Sequence, residues 1–110
     1  MKIVKRPWGD FKQFVLNKKC TVKILSVNPH SELSLQKHRK RIESWYFLTE
    51  GYVQLCNKKK KIKKGELVKI KKMQAHRIIA KTKKVEVLEV SYGKFDEKDE
   101  IRLEDKYGRK

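Results

Sequence analysis

Short stretches of strand-like sequence, separated by turn residues at close intervals, dominate this chain of 110 residues. Apolar residues fall in brief patterned runs, whereas the apolar spacing of an amphipathic helix is weak throughout. Asn, Gly and Pro interrupt the runs, as in Asn28-Pro29, and mark turns. The pattern predicts strands at residues 11–16, 20–27, 33–38, 43–49, 52–56, 60–63, 67–70, 76–81 and 85–92.

This succession of short strands, without intervening helices, favours an antiparallel β-sandwich or barrel. A chain of 110 residues can build one hydrophobic core but not two, so we expect a single domain over residues 1–110. Charges of both signs alternate in the tail, residues 94–110. We interpret this tail as a C-terminal arm that packs along the barrel or holds a helical turn.

We expect neither a membrane span nor a secretion signal in this sequence. No stretch approaches the roughly 20 consecutive apolar residues that cross a bilayer, and the N-terminus lacks the apolar centre of a signal peptide. We therefore expect a cytoplasmic location and no membrane partner. Cys20 and Cys56 form no CxxC pair, so neither a disulfide framework nor a cysteine-based zinc site is predicted.

The chain is strongly basic, with 30 Lys and Arg against 13 Asp and Glu and a net charge of +17. Such a field attracts anions, including nucleic acids and phosphorylated metabolites. The lysine run at residues 58–64 has no interleaved aromatic residue on which a base could stack. We interpret it as a solvated hairpin whose lysines discourage edge-to-edge aggregation. A β-barrel that binds nucleic acid remains an alternative, but the charge alone does not favour it.

A set of polar residues has the spacing of a metal site. Gln36 and His38 share one face of a predicted strand because residues two apart point the same way. Glu43 follows after a tight corner, and His76 begins a later predicted strand. Their mixed nitrogen and oxygen donors suit Zn, Fe, Mn, Co or Ni. The same spacing also fits ordinary polar strand residues and a histidine at the edge of the core.

Six segments together resemble a known family, the type II mannose-6-phosphate isomerase domain of the cupin superfamily. The segments are RPWG (6–9), LSLQKH (33–38), ESW (43–45), HR (76–77), SYG (91–93) and IRLEDKYGR (101–109). This domain forms the C-terminal part of bifunctional mannose-1-phosphate guanylyltransferases, and here it would stand alone. The resemblance covers essentially the whole chain. It implies a cupin double-stranded β-helix and a homodimer.

The resemblance also implies a reaction, the interconversion of mannose 6-phosphate and fructose 6-phosphate in GDP-mannose biosynthesis. The partner would be a small sugar phosphate, and the cofactor a divalent metal, with Zn as first candidate and Co, Mn, Fe or Ni as alternatives. The metal ligands would be Gln36, His38, Glu43 and His76. A cupin that binds a sugar phosphate or nucleotide sugar without catalysis is the main alternative.

Basic residues are predicted to stabilise the phosphate or the enediolate, because arginine binds such groups through a planar fork of donors. The catalytic candidates are Arg77, Arg102, Arg109 and Lys40. Surface salt bridges with Glu104 or Asp105 are the alternative for the last two arginines.

Overall fold

The computed structural model describes residues 1–93 and 97–104, and within them the chain is built almost entirely of strands. A single 3-10 turn, Glu97–Asp99, precedes the last strand. The strands are β1 (Lys2–Arg6), β2 (Gly9–Gln13), β3 (Cys20–Val27), β4 (Leu35–His38), β5 (Arg41–Phe47), β6 (Gly51–Leu55), β7 (Lys58–Ile62), β8 (Leu67–Ile70), β9 (His76–Ile79), β10 (Val85–Gly93) and β11 (Glu100–Glu104).

Strands β3 and β8 have the predicted bounds, and the other predicted strands shift by up to three residues. Two strands were missed by the sequence prediction. Strand β1 (KIVKR) exposes four of its five residues, so it lacks the apolar face that marks a strand. Strand β11 lies within the predicted C-terminal arm, and its mixed charges left no apolar run by which to predict a strand. The rest of that arm, at 94–96 and 105–110, lies outside the described residues.

Two antiparallel sheets form the body of the molecule. The four-stranded sheet has the order β3-β10-β5-β8, and the five-stranded sheet has the order β11-β4-β9-β6-β7. The hairpin β1-β2 forms a separate two-stranded sheet. Every strand pairing is antiparallel. The all-β, double-sheet architecture predicted from the sequence is therefore confirmed.

The apolar core fills one half of the space between the two sheets. Alternation along β5 turns Trp45 and Phe47 inward, and Val87 pairs with Phe47 from β10. Phe47, Val87 and Ile78 of β9 are completely buried. Burying a side chain of this size stabilises the fold by about 1.5–3 kcal/mol. The other half of the same interior is lined by polar side chains.

The predicted lysine-rich hairpin is an edge of the five-stranded sheet. Residues 58–61 of β7 are exposed lysines, and only Ile62 at the end of the strand is buried. This placement agrees with a solvated edge that resists pairing with another sheet. No helix in the described part of the chain has the length and apolar character needed to span a membrane.

Candidate metal centre

His38, Glu43 and His76 meet in the buried polar half of the interior. His38 ends β4 and His76 begins β9, both in the five-stranded sheet, whereas Glu43 lies on β5 in the four-stranded sheet. Glu43 Oε1 is 3.0 Å from His38 Nε2 and 3.6 Å from His76 Nε2. One donor atom from each residue lies within 4.8 Å of the others. All three side chains are at least 97% buried.

The corner between β4 and β5 is held in place by Asp99 in the 3-10 turn. Its two carboxylate oxygens accept hydrogen bonds from the backbone N–H groups of Arg39, at 3.1 Å, and Lys40, at 2.9 Å. These backbone donors hold the pKa of Asp99 below its usual value of 3.8. Asp99 therefore fixes the corner that separates His38 from Glu43.

Neighbouring groups orient both histidines. His76 Nδ1 lies 2.8 Å from the backbone oxygen of Gln74 and donates to it, which directs Nε2 at Glu43. His38 Nε2 lies 3.0 Å from Arg41 Nη2 and 3.0 Å from Glu43 Oε1. Two imidazole Nε2 atoms and a carboxylate oxygen thus converge. This donor set fits a divalent cation.

Two buried carboxyl groups at this site have opposite electrostatic environments. Burial favours the neutral form of Glu43, but its contacts with His38 and His76 outweigh burial and hold its pKa well below the usual 4.5. Burial, reinforced by the adjacent Glu43, raises the pKa of Glu89 to about 8. At neutral pH the pair therefore carries one negative charge, on Glu43.

Trp45 connects these two carboxyl groups. Its indole Nε1 lies 3.2 Å from Glu43 Oε2 and 3.1 Å from Glu89 Oε2. Ser91 Oγ donates to the other oxygen of Glu89 at 3.4 Å. The indole N–H leaves Glu43 Oε1 as the oxygen directed at the histidines. Trp45 is 1% exposed, so it combines this polar contact with core packing.

The cluster borders a cavity of about 380 Å³ between the two sheets. Gln36, the fourth predicted ligand, pairs in register with His76 and also lines this cavity. Its amide nitrogen donates to Ser34 Oγ at 3.2 Å, so the amide oxygen is the atom that it can offer to a metal. The structure thus gathers three predicted ligands and places the fourth beside them on the cavity wall.

The predicted basic residues do not all reach the cavity. Arg102 on β11 lines it. Lys40 lies exposed at the β4–β5 corner, outside the lining of the cavity. Arg109 falls outside the described residues.

Arg77 lies on the face of β9 opposite to His76, because adjacent strand residues point to opposite sides of a sheet. Its Nε donates to Gln54 at 2.9 Å, and its Nη2 contacts Glu104 at 3.3 Å. Arg77 therefore stabilises the outer side of the sheet, and we leave it out of the proposed site together with Lys40.

Sequence reasoning missed five charged residues of the cavity wall: Lys23, Glu32, Arg41, Glu89 and Glu100. A signal was available for two of them. Lys23 is in phase with Leu25 and Val27, and Glu89 is in phase with Val85 and Val87, all on inward-facing positions. A charged residue at the inward phase of a strand indicates a polar interior.

Solved structures share this fold. A cupin-2 domain from Rhodospirillum rubrum aligns with a TM-score of 0.66 and 18% identity, over 79% of this chain and 64% of that chain. At this identity the likeness shows the fold alone. The molecule therefore has the cupin fold, a double-stranded β-helix, as predicted.

Sequence comparison gives the family. Residues 1–105 match the family described as mannose-6-phosphate isomerase C-terminal. The alginate biosynthesis protein AlgA of Pseudomonas aeruginosa is 33% identical over 109 residues, which are 96% of this chain. The mannose-1-phosphate guanylyltransferase ManC of Salmonella typhimurium is 30% identical over 96% of the chain. The chain spans 23% of the length of each relative. It belongs to the mannose-6-phosphate isomerase C-terminal family, as the resemblance predicted.

Proposed function

We propose that this chain is a metal-dependent isomerase that interconverts mannose 6-phosphate and fructose 6-phosphate and serves GDP-mannose biosynthesis. The buried cluster of His38, Glu43 and His76 beside a cavity is the observation that carries this proposal. Membership of the isomerase family supports the choice of substrate.

The metal would be held by His38 Nε2, Glu43 Oε1, His76 Nε2 and the amide oxygen of Gln36. Nitrogen and carboxylate donors of this kind make Zn the first candidate, with Co, Mn, Fe or Ni as alternatives. Bound there, a divalent metal polarises the carbonyl of the open-chain sugar and so makes the neighbouring C–H group more acidic.

The protein side chains divide the remaining tasks. Arg102 presents a planar fork of donors to the cavity, which suits a phosphate group. Trp45 fixes the orientation of Glu43 through its N–H group. Arg41 is committed to the cluster, because its guanidinium contacts His38 at 3.0 Å and Glu43 at 3.5 Å.

Isomerisation also needs a group that moves a proton between C1 and C2 of the sugar. Three carboxyl groups line the cavity besides Glu43. Glu32 contacts Arg77, and the two candidates are Glu89 and Glu100, which lie opposite Trp45 and His38 in the strand pairings. Replacing each separately by Gln distinguishes them. The variant that loses turnover while retaining its metal content and substrate affinity identifies the proton-transfer group.

A coupled assay of mannose 6-phosphate turnover tests the proposal. The chain is stripped of metal and then supplied with Zn, Co, Mn, Fe or Ni one at a time. We expect turnover with at least one metal, and loss of both turnover and stoichiometric metal in His38→Ala. The control is His30→Asn, because His30 lies outside the cavity lining and Asn tolerates its positive φ of 60°.

The possible outcomes separate the alternatives. Stoichiometric metal without turnover, in protein shown to be folded, would replace the isomerase with a cupin that binds a sugar phosphate or nucleotide sugar. Absence of metal binding would overturn the site itself.

The predicted homodimer and cytoplasmic location belong to the same proposal. Strand β3 is an edge of the four-stranded sheet, and its outward-facing Val22 and Ile24 are 55% and 60% exposed. A second copy would cover such an apolar surface. Sedimentation at several protein concentrations measures the oligomeric state, and a monomer throughout would contradict the dimer.

A further inference from the structure

Arg41 places a guanidinium among the proposed metal ligands. It is the first residue of β5 and is in phase with Glu43 and Trp45, so its side chain points into the interior. Its Nη2 lies 3.0 Å from His38 Nε2, and its Nε lies 3.5 Å from Glu43 Oε1. The side chain is 7% exposed. A positive charge is therefore buried directly against two of the four proposed ligands.

The two atoms that Arg41 contacts are the same two that these residues would offer to a metal. His38 Nε2 and Glu43 Oε1 are 3.0 Å apart, which allows one cation to contact both. A transition metal binds an imidazole nitrogen at about 2.0–2.1 Å, so a metal on His38 Nε2 would lie within about 5 Å of Arg41 Nη2. At that separation a divalent ion and a guanidinium repel each other strongly where water is excluded.

The burial of Glu43 explains what the guanidinium does in this position. A buried carboxylate is costly unless a cation or hydrogen-bond donor compensates its charge. Arg41 brings a positive charge to 3.5 Å from Glu43 Oε1. A metal would bring two positive charges to the same oxygen, so the guanidinium and the metal satisfy the same requirement. Arg41 also lines the cavity of about 380 Å³, which gives its guanidinium room to move away from the ligands.

We propose that Arg41 competes with the metal for His38 and Glu43, and that metal binding requires its guanidinium to withdraw from these two atoms. In the chain without metal the guanidinium holds the ligands together. Its withdrawal has a cost in free energy, which lowers the affinity of the cluster for divalent metal. This inference rests on the proposed metal site but not on the identity of the sugar substrate.

Competition with a chelator tests the proposal by measuring the affinity of the stripped chain for Zn. In Arg41→Gln we expect this affinity to rise about tenfold or more, because the repulsion between two cations is removed. A residue that only orients the ligands gives the opposite sign, since loss of such a group weakens metal binding about tenfold to a hundredfold. The matched control is Arg39→Gln, which removes the same charge from an exposed position at the β4–β5 corner and should leave the affinity unchanged.

A second variant separates the charge of Arg41 from its shape. Arg41→Lys keeps the positive charge, so its affinity for Zn should stay close to that of wild type. A rise in Arg41→Lys as large as in Arg41→Gln would overturn the proposal, as would an equal rise in Arg39→Gln, which would show a general effect of net charge. Unchanged or weaker Zn binding in Arg41→Gln would overturn it as well.

The wild-type chain provides a test that needs no folded variant. Nuclear Overhauser contacts between the Arg41 side chain and the His38 ring should be present in the stripped chain and disappear as Zn binds. Arg77 is the internal reference, because its Nε donates to Gln54 at 2.9 Å on the opposite face of β9 and this contact should persist. Contacts between Arg41 and His38 that survive stoichiometric Zn binding would refute the competition.

These measurements keep the competition apart from the proposed reaction. Tighter Zn binding by Arg41→Gln, without turnover of mannose 6-phosphate by wild type loaded with any metal, would refute the isomerase and leave the role of Arg41 standing. Turnover by wild type together with unchanged Zn affinity in Arg41→Gln would refute the competition and leave the isomerase standing. Absence of Zn binding by both chains would overturn the metal site and this inference together.

Discussion

The two halves of the sandwich interior are built by the same strands and differ in chemistry. Along β5 the inward residues change from Glu43 to Phe47, and along β10 they change from Glu89 to Val87. Because the strands are antiparallel and in register, Ser91 lies opposite Glu43 and Val87 lies opposite Phe47, with Glu89 and Trp45 paired between them. The apolar half stabilises the fold, and the polar half provides the proposed site. A single strand can therefore serve both purposes.

The largest effect on stability is expected in the apolar half. Phe47→Ala removes a completely buried ring and leaves a cavity, which costs about 3–5 kcal/mol in free energy of unfolding. Chemical denaturation measures this loss. If the two halves are independent, the variant that remains folded should still bind metal stoichiometrically. Loss of metal binding by folded Phe47→Ala would show that the two halves are coupled.

The opposite pattern is expected for His76→Ala. Loss of one of the proposed ligands should weaken metal binding by at least a hundredfold, as measured by competition with a chelator. The metal-free protein should lose less stability than Phe47→Ala does, because His76 borders the cavity and water can fill the space that it leaves. A loss of stability equal to that of Phe47→Ala would contradict the division of roles.

Trp45 belongs to both halves, so Trp45→Phe sharpens the comparison. An aromatic ring, smaller than the indole, is retained, and the N–H that contacts Glu43 and Glu89 is removed. Metal affinity should fall by about tenfold to a hundredfold, as for loss of a group that orients a ligand. Trp8→Phe is the matched control, because Trp8 is 73% exposed. Unchanged metal affinity in Trp45→Phe would assign Trp45 to the core alone.

The smallest effect is expected at Asp99, which holds the β4–β5 corner. Its pKa is lower in the folded chain than the usual 3.8, so its carboxylate stabilises the fold above that pH. This contribution disappears as the pH falls through the lowered pKa. Asp99→Asn should therefore melt at a lower temperature than wild type at neutral pH, and the difference should shrink in acid. A difference independent of pH would rule out the carboxylate as its cause.

Much of this organisation could be predicted from the sequence. The runs of apolar residues predicted most of the strands. The spacing of His38 and Glu43 predicted that a tight corner separates them. Strand β1 was missed because it exposes nearly all of its side chains, and β11 because its alternating charges gave no apolar face. Arg77 was predicted as a site residue, although it follows His76 directly on β9 and adjacent strand residues point to opposite faces of a sheet.

Other parts of the site depend on pairings between distant strands. The contact of Trp45 with Glu89 joins residues 44 positions apart, and that of Asp99 with the Lys40 backbone joins residues 59 apart. No local pattern encodes these distances. The inward phase of Lys23 and Glu89 was visible, but their pairing with each other on neighbouring strands became apparent only with the order of the strands.

The distribution of the proposed ligands over both sheets would link the folding equilibrium to the supply of metal. A cation bound by His38, Glu43 and His76 would join the five-stranded sheet to the four-stranded one. Binding confined to the folded chain raises its stability by about 2.7 kcal/mol when free metal exceeds its dissociation constant a hundredfold. The lifetime of the folded protein would then depend on metal availability as directly as turnover does, and chelation would deplete the protein itself.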